Sequence, residues 1–418
     1  MRTVEDHLAE VLAAVRPLPS ETVPIAGALG RTLAAPVRAT VPIPVFDNSA
    51  MDGFAIRRAD AIGAAADAPI ALRVVGEVAA GSGEDPSIGP GEAVRIMTGA
   101  PMPADADAVV PVEDTLEGFA GAGTVRIVRE PRPGAHVRRA GEDAVTGAEL
   151  VAAGREVAPL QASALAAASV ATVAVARRPR VAILSTGSEL RPPGSPLSRG
   201  QIPESNSLVL LGLVAGAGAE TVLRDSVADD PAELVVMLRR AYELGVDAVI
   251  MTGGVSEGAY EPVKQALAGA GGRAQGVLGG PMTFAKVAMQ PGKPQGFGVA
   301  ASGALLFGFP GNPVSVAVSF ECFARPALLA MQGRATLDRP RIVLPAAVDW
   351  RTPAGRRQYL PVAIDRDDPA RWTVRPATAG GSGSHLAGGL ALAEAYAVVP
   401  AEVEAVRAGE PVDVMLAS

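Results

Sequence analysis

Arg180-Val-Ala-Ile-Leu-Ser-Thr-Gly-Ser-Glu-Leu190 opens on a continuous apolar run and breaks at Ser185-Thr-Gly187. A strand buried on both faces reads this way, because neither face requires a polar residue. The same figure recurs at Asp247-Ala-Val-Ile-Met251, leading into Thr252-Gly-Gly254, and at Ala304-Leu-Leu-Phe-Gly-Phe309, leading into Pro310-Gly-Asn-Pro313. Helical patterns lie between and after these runs, at 207–217, 231–244 and 262–270. Apolar strands alternating with helices predict a parallel, doubly wound α/β sheet. Gly-rich turns where strand gives way to helix place a ligand at that edge.

Outward from this unit the texture changes. Towards the N-terminus, 40–150 is made of short β-rich runs between turns, at 71–75, 93–97, 108–112 and 124–128. Before it, Val4, Leu8, Val11, Leu12 and Val15 recur at helical spacing behind Thr3, a candidate cap. Residues 157–176 carry no charge, but Pro159, Gln161, Ser163, Ser169 and Thr172 interrupt them. That stretch is too weakly hydrophobic to insert into a membrane and reads as a short helix followed by an alternating strand. Past 333 short β runs return, at 342–344, 372–374, 395–399 and 412–416, and predict a terminal β-barrel or sandwich.

The chain has 418 residues, which at about 150 per domain allows two to four domains. Half of it is hydrophobic, so disorder is excluded as its general state. Net charge is −7, against the balance expected of a general nucleic-acid or anionic-membrane binder. One cysteine and three scattered histidines allow neither an internal disulfide framework nor a Cys/His zinc set. Any metal would be hard and oxygen-liganded. With acidic Glu5 and Asp6 where a signal peptide would be basic, a soluble, cytoplasmic protein is expected. The basic residues are 34 Arg and three Lys: Lys264, Lys286 and Lys293, all within one short stretch. Lysines retained in an Arg-dominated chain mark positions where a compact ammonium serves better than a planar guanidinium.

Paired glycines let successive backbone N–H groups converge on one oxyanion, so Thr252-Gly-Gly-Val-Ser256 is a candidate phosphate cradle. Alone it is equally an ordinary tight turn. Together with Ser185-Thr-Gly-Ser-Glu189 and Pro310-Gly-Asn-Pro-Val-Ser315 on the same edge, it points to a phosphate-bearing ligand. Glu189, Asp229, Asp230 and Glu261 fall near that edge, and hard oxygens beside a phosphate suit Mg²⁺. Asp229 or Asp230 before Pro231 is equally a helix cap. Asp47-Asn-Ser-Ala-Met-Asp-Gly-Phe54 and Arg95-Ile-Met-Thr-Gly-Ala-Pro101 read by composition as loops, with structural and functional roles both open.

These segments, with Gly141-Glu-Asp143, Glu204-Ser-Asn-Ser207, Asp229-Asp-Pro231 and the stretch from Lys286 to Pro294, occur in one order along nearly the whole chain. In that set the sequence resembles the molybdopterin molybdenumtransferase family, which includes the C-terminal domain of gephyrin. The resemblance implies four parts: an elongated, discontinuous N-terminal domain (1–45 and 141–177), a β-rich inserted domain (46–140), a molybdopterin-binding α/β domain (178–332) and a C-terminal β domain (333–418). It implies Mg²⁺-dependent insertion of molybdate into adenylylated molybdopterin, releasing AMP, in a homodimer whose cleft uses both protomers. Transient contact with the adenylyltransferase and with apo-molybdoenzymes is implied as well. Carried over by position, Asp52, Thr98, Asp143 and Lys286 are the catalytic residues. Gly253, Gly254, Ser256, Lys293, Pro310, Gly311, Asn312, Arg356, Ser382 and Ser384 contact substrate. Glu189, Asp229 and Glu261 hold the metal.

The sequence departs from the family pattern at three places. Ser188 stands where an Asp is usual, Glu261 where an Asp is usual, and Gln290 where a Lys is usual. One ammonium fewer beside a dianion weakens its binding by roughly one to a few kcal/mol if the site is desolvated. The departures therefore carry a second reading, a weakened or non-catalytic molybdopterin-binding paralogue or scaffold.

Overall fold

The computed structural model describes residues 1–121, 123–255, 262–267, 282–378, 383 and 385–417. One of two six-stranded sheets among these residues is built around the three apolar runs. In chain order the strands are β1 (Arg180–Thr186), β2 (Glu220–Val227), β3 (Ala248–Thr252), β4 (Thr283–Lys286), β5 (Pro294–Val299) and β6 (Leu305–Phe309). They lie in the order β2-β1-β3-β6-β5-β4. The four from β2 to β6 are parallel, and β3 and β6 are buried at every residue. Helices cover both faces. Leu210 and Val214 of α1 (Asn206–Gly216) and Val314, Val316 and Val318 of α3 (Pro313–Ser319) pack on one side, and Leu234 and Leu238 of α2 (Pro231–Glu243) on the other.

The sheet is not parallel throughout. β5 and β4 run antiparallel to their neighbours. Only Ala300–Ala304 separates β5 from β6, too short for the crossover that a parallel pair needs. Between β3 and β4, a helix spans Pro262–Leu267; the remainder of the pattern expected at 262–270 lies outside the described residues.

α3 runs without a break through a π turn, Phe320–Ala324, into a helix at Arg325–Met331. This 19-residue apolar helix, Pro313–Met331, is long enough to cross a membrane, and 83% of its most apolar window is buried inside the molecule. The uncharged 157–176 stretch forms the helix Pro159–Ala167 and the strand Thr172–Ala176, as its pattern predicts.

A five-stranded mixed sheet is centred on Glu92–Ile96, with Gly53–Ile56 and then Ala108–Pro111 on one side and Ile70–Val78 and then Thr124–Ile127 on the other. Asp47–Phe54 is therefore not all loop: Asn48–Ser49 pairs with Val137–Arg138, and Gly53-Phe54 starts a buried strand. Two long-range antiparallel pairings, Ser20–Pro24 with Thr172–Ala176 and Val37–Arg38 with Glu149–Val151, join the chain before this sheet to the chain after it. The terminal sheet is built on Arg357–Asp365, which pairs with Ala395–Val399; Pro411–Leu416 and Arg341–Pro345 follow outward.

The N-terminal helix Val4–Ala13 starts with a capping box between Thr3 and Asp6. Its Val4 and Val11 share one buried cluster with β1, β6, α3 and Tyr359, Tyr396 and Met415 of the terminal sheet.

Candidate functional site

At the carboxyl end of the parallel strands the backbone turns sharply after each one. Gly253, directly after β3, has φ +88°, and a Cβ there would lie 2.5 Å from the Thr186 carbonyl oxygen. Both the backbone conformation and the close approach of β1 demand glycine at that point. Gly254 follows with φ +64°. The third turn, Pro310-Gly311-Asn312, comes up beside them, with Asn312 as the N-cap of α3.

These turns open into a cleft of about 510 Å³. Of the residues marked by sequence, Glu189, Asp229, Gly253, Gly254, Lys293, Pro310, Gly311 and Asn312 line it. The loop from Gln290 to Pro294 forms another wall. Asp229 and Ser188 clasp each other: the Ser188 N–H donates to Asp229 Oδ2 at 3.0 Å, and the Asp229 N–H donates to Ser188 Oγ at 3.1 Å. Its neighbour Asp230 is the helix cap, accepting the Ala232 N–H at 2.8 Å. The alternatives left open by Asp-Asp-Pro are thereby divided between the two residues. Ser188 gives Asp229 a hydroxyl rather than a second carboxylate, so the clasp adds no like-charge repulsion.

A buried polar seam underlies this edge. Glu204 accepts from Ser185 Oγ (2.9 Å), the Ser207 N–H (2.9 Å) and Ser207 Oγ (2.5 Å). Asn206, which lines the cleft, donates from Nδ2 to the Gly311 carbonyl at 2.6 Å and so ties α1 to the third turn. Neither residue was singled out for chemistry by sequence. Their only signal was the short polar segment Glu204-Ser-Asn-Ser207 ahead of an apolar helix.

Arg356 and Lys286 do not line the cleft, although Arg356 reaches a residue that does: its Nη1 donates to Gln290 Oε1 at 2.6 Å. Lys286 ends β4, paired in register with Pro294, and the Val287 N–H donates to the Lys293 carbonyl at 2.8 Å. Asp52 and Thr98 meet each other in the other β sheet. Asp52 Oδ1 accepts the Thr98 N–H at 2.7 Å and its hydroxyl at 2.8 Å, and these two bonds hold its carboxyl below the usual carboxylate range. The Asp143 N–H donates to the Ile43 carbonyl at 3.0 Å, and the Gly141 N–H donates to the Pro44 carbonyl at 3.0 Å. None of Asp52, Thr98 and Asp143 lines the cleft of its own chain. Ser256, Glu261, Ser382 and Ser384 lie outside the described residues.

Comparison with known proteins decides the family. A model described as the MoeA N-terminal region, domains I and II, matches residues 2–169. A probable molybdopterin binding domain matches 182–330, and the MoeA C-terminal region, domain IV, matches 343–417. The chain belongs to the molybdopterin molybdenumtransferase family. Molybdopterin molybdenumtransferase 2 of Mycobacterium tuberculosis is 41% identical over 417 residues, covering 99% of both chains. Among solved structures, a molybdopterin biosynthesis MoeA protein from Pyrococcus horikoshii OT3 superposes with a TM-score of 0.82 at 27% identity over 100% of both chains. Another structure from that organism gives 0.78 at 31% identity, over 99% of this chain and 98% of the other. Membership of the molybdenumtransferase family makes the chain a transferase of molybdenum-cofactor biosynthesis.

Proposed function

We propose that the chain inserts molybdate into adenylylated molybdopterin in a Mg²⁺-dependent reaction, with AMP as the other product. The convergence of three strand-end turns, Glu189, Asp229 and Lys293 on one cleft carries this reading. The cleft's volume suits a ligand of nucleotide-pterin size. Backbone N–H groups of the turns bind the pyrophosphate and hold its scissile anhydride in one orientation. Lys293 draws the small oxyanion to the same wall.

The residues present fit Mg²⁺. No cluster of three or more metal-type side chains occurs among the described residues, but Mg²⁺ is commonly held by one or two carboxylates with water and substrate phosphates completing its shell. Glu189 and Asp229 would supply that pair, with Glu261 a further candidate. When bound, the ion neutralises the pyrophosphate and stabilises AMP as leaving group. Asp229 is pre-oriented for this by its clasp with Ser188.

The same reading takes 46–140 as an inserted domain whose Asp52 and Thr98, together with Asp143 just beyond it, complete the cleft of a second protomer, since they do not line their own. The carboxylate of Asp52, ionised under all ordinary conditions, would there fix charge and position rather than exchange protons. An adenylyltransferase supplies the substrate, and apo-molybdoenzymes take the product.

Purified protein incubated with adenylylated molybdopterin, molybdate and Mg²⁺ is expected to release AMP and to yield a cofactor that activates an apo-molybdoenzyme. Failure to release AMP, with the nucleotide remaining bound, would instead establish the scaffold reading.

A further inference from the structure

The loop after Lys286 leaves the α/β sheet and joins the terminal one. Met289–Gln290 pairs in parallel with Arg357–Gln358, and the Arg357 N–H donates to the Ala288 carbonyl at 3.0 Å. This register puts Gln358 opposite Gln290, and Arg356, two residues earlier, reaches across the diagonal: its Nη1 donates to Gln290 Oε1 at 2.6 Å. A guanidinium has no acceptor, so the amide must face it with oxygen. The two Nε2–H bonds are then the part of Gln290 left for the cleft that it lines alongside Lys293. An amide whose oxygen accepts from a cation is polarised, and its N–H groups donate more strongly.

We infer that Gln290 and Arg356 act as one relay for the oxyanion substrate, with Arg356 as the source of charge and Gln290 as the donor that touches the anion. This rests on molybdate being a substrate, as proposed above. It gives a neutral side chain a specific task in an anion site: Gln290 both positions the guanidinium and carries its polarity one side chain further into the cleft. No bond is made or broken in this task; it is recognition alone.

Four single variants and one double variant test the relay, read as separate KM values for molybdate and for adenylylated molybdopterin. Gln290→Glu keeps an acceptor for Arg356 but removes both N–H donors and adds a negative charge. Its molybdate KM should rise about tenfold or more, while the KM of the pterin nucleotide stays within about twofold. Gln290→Lys adds a cation but cannot accept from Arg356 and repels it. The relay expects its molybdate KM to rise, whereas a site governed only by the count of positive charges expects it to fall. Gln290→Ala and Arg356→Ala should each raise the molybdate KM, and the double variant should be no worse than the worse single one, because the pair acts as a unit.

A fall in molybdate KM for Gln290→Lys, an unchanged value for Gln290→Glu, or additive effects of the two alanine variants would each overturn the relay. Melting curves that match the unsubstituted protein establish that the Met289–Gln290 pairing is intact. If Gln290→Glu does not fold, Gln290→Asn, one methylene too short to reach Arg356, carries the same expectation. A failure of the functional reading is separable from a failure of the relay. If the unsubstituted protein releases no AMP, calorimetric titration of molybdate alone still compares the variants, and equal affinities there sink the relay by themselves.

Discussion

A Cβ on Gly53 would lie 2.0 Å from the Val110 carbonyl oxygen, although the residue is not in the left-handed region. Its need for hydrogen alone comes from how closely Ala108–Pro111 approaches Gly53–Ile56. The Gly53→Ala variant should lose at least about 2 kcal/mol of stability, measured by chemical denaturation, because two backbones must separate to admit one methyl. Glycine content alone marks the segment as turn, since a steric demand set by a strand more than fifty residues away has no local signature. Asp229 and Asp230 show the same limit. Either satisfies the local pattern of a cap, and only the nearness of Ser188 assigns one to the helix and the other to the cleft.

Elements with a strong period were legible; those dominated by tertiary contacts were not. The runs that became β1, β3 and β6 are buried on both faces, so hydrophobicity alone declares them. Arg357–Asp365, the strand on which the terminal sheet is built, went unread because Pro361 interrupts it. On one side of this strand Met289–Gln290 pairs only as far as Gln358 and Thr373–Pro376 begins only at Val362, so Pro361 falls in the gap, where its missing N–H costs nothing.

The N-terminal helix carries a second contextual feature. His7 is buried against the edge of the Phe323 ring, with centroids 4.7 Å apart, and burial lowers its pKa from 6.5 to about 4. Arg2 lowers it further and Glu10 opposes the shift. Neutral His7 therefore contributes fully above the unfolded value, and its contribution is lost as pH falls from about 6.5 towards 4, to a limit of about 3 kcal/mol. Denaturation midpoints followed across that window should fall with pH, and His7→Leu should remove most of the slope.

The π turn holds Glu321, whose side chain is wholly buried and receives two hydrogen bonds from Arg339, at 2.8 and 2.9 Å. Arg325 stands 3.8 Å away, and burial, then the charge of Arg339, lowers its pKa to about 10. Glu321→Ala leaves two partly buried guanidiniums facing each other. It should cost about 3–5 kcal/mol, read as a drop in denaturant midpoint at unchanged slope.

At the scale of the whole molecule, the residues carried over from the family divide into two groups. One lines the cleft between the strand-end turns; the other, Asp52 and Thr98 beside the five-stranded sheet and Asp143 after it, does not. If a second protomer unites them, Asp52→Ala and Asp229→Ala proteins, each inactive, should regain activity on mixing and re-equilibration. Random reassortment makes about half of the dimers hybrid with one intact cleft of two, so about a quarter of the original AMP release is expected. No recovery from a stable hybrid would place both groups within one chain. Sequence alone could not pair the groups, because spacing along a chain carries no information about a neighbouring copy.

The segment 286–290, which leads into the cleft wall, is held from both sides: Arg2 exchanges backbone hydrogen bonds with Lys286 and Ala288, and Arg357–Gln358 takes up Met289–Gln290. This arrangement imposes a schedule on biosynthesis. The α/β sheet leaves the ribosome before the strand that anchors its own cleft loop, so a nascent chain cannot complete this wall of the cleft until the terminal sheet has emerged. A chain arrested between Met331 and Arg356 therefore has the strand-end turns without the Gln290–Arg356 pair beside them.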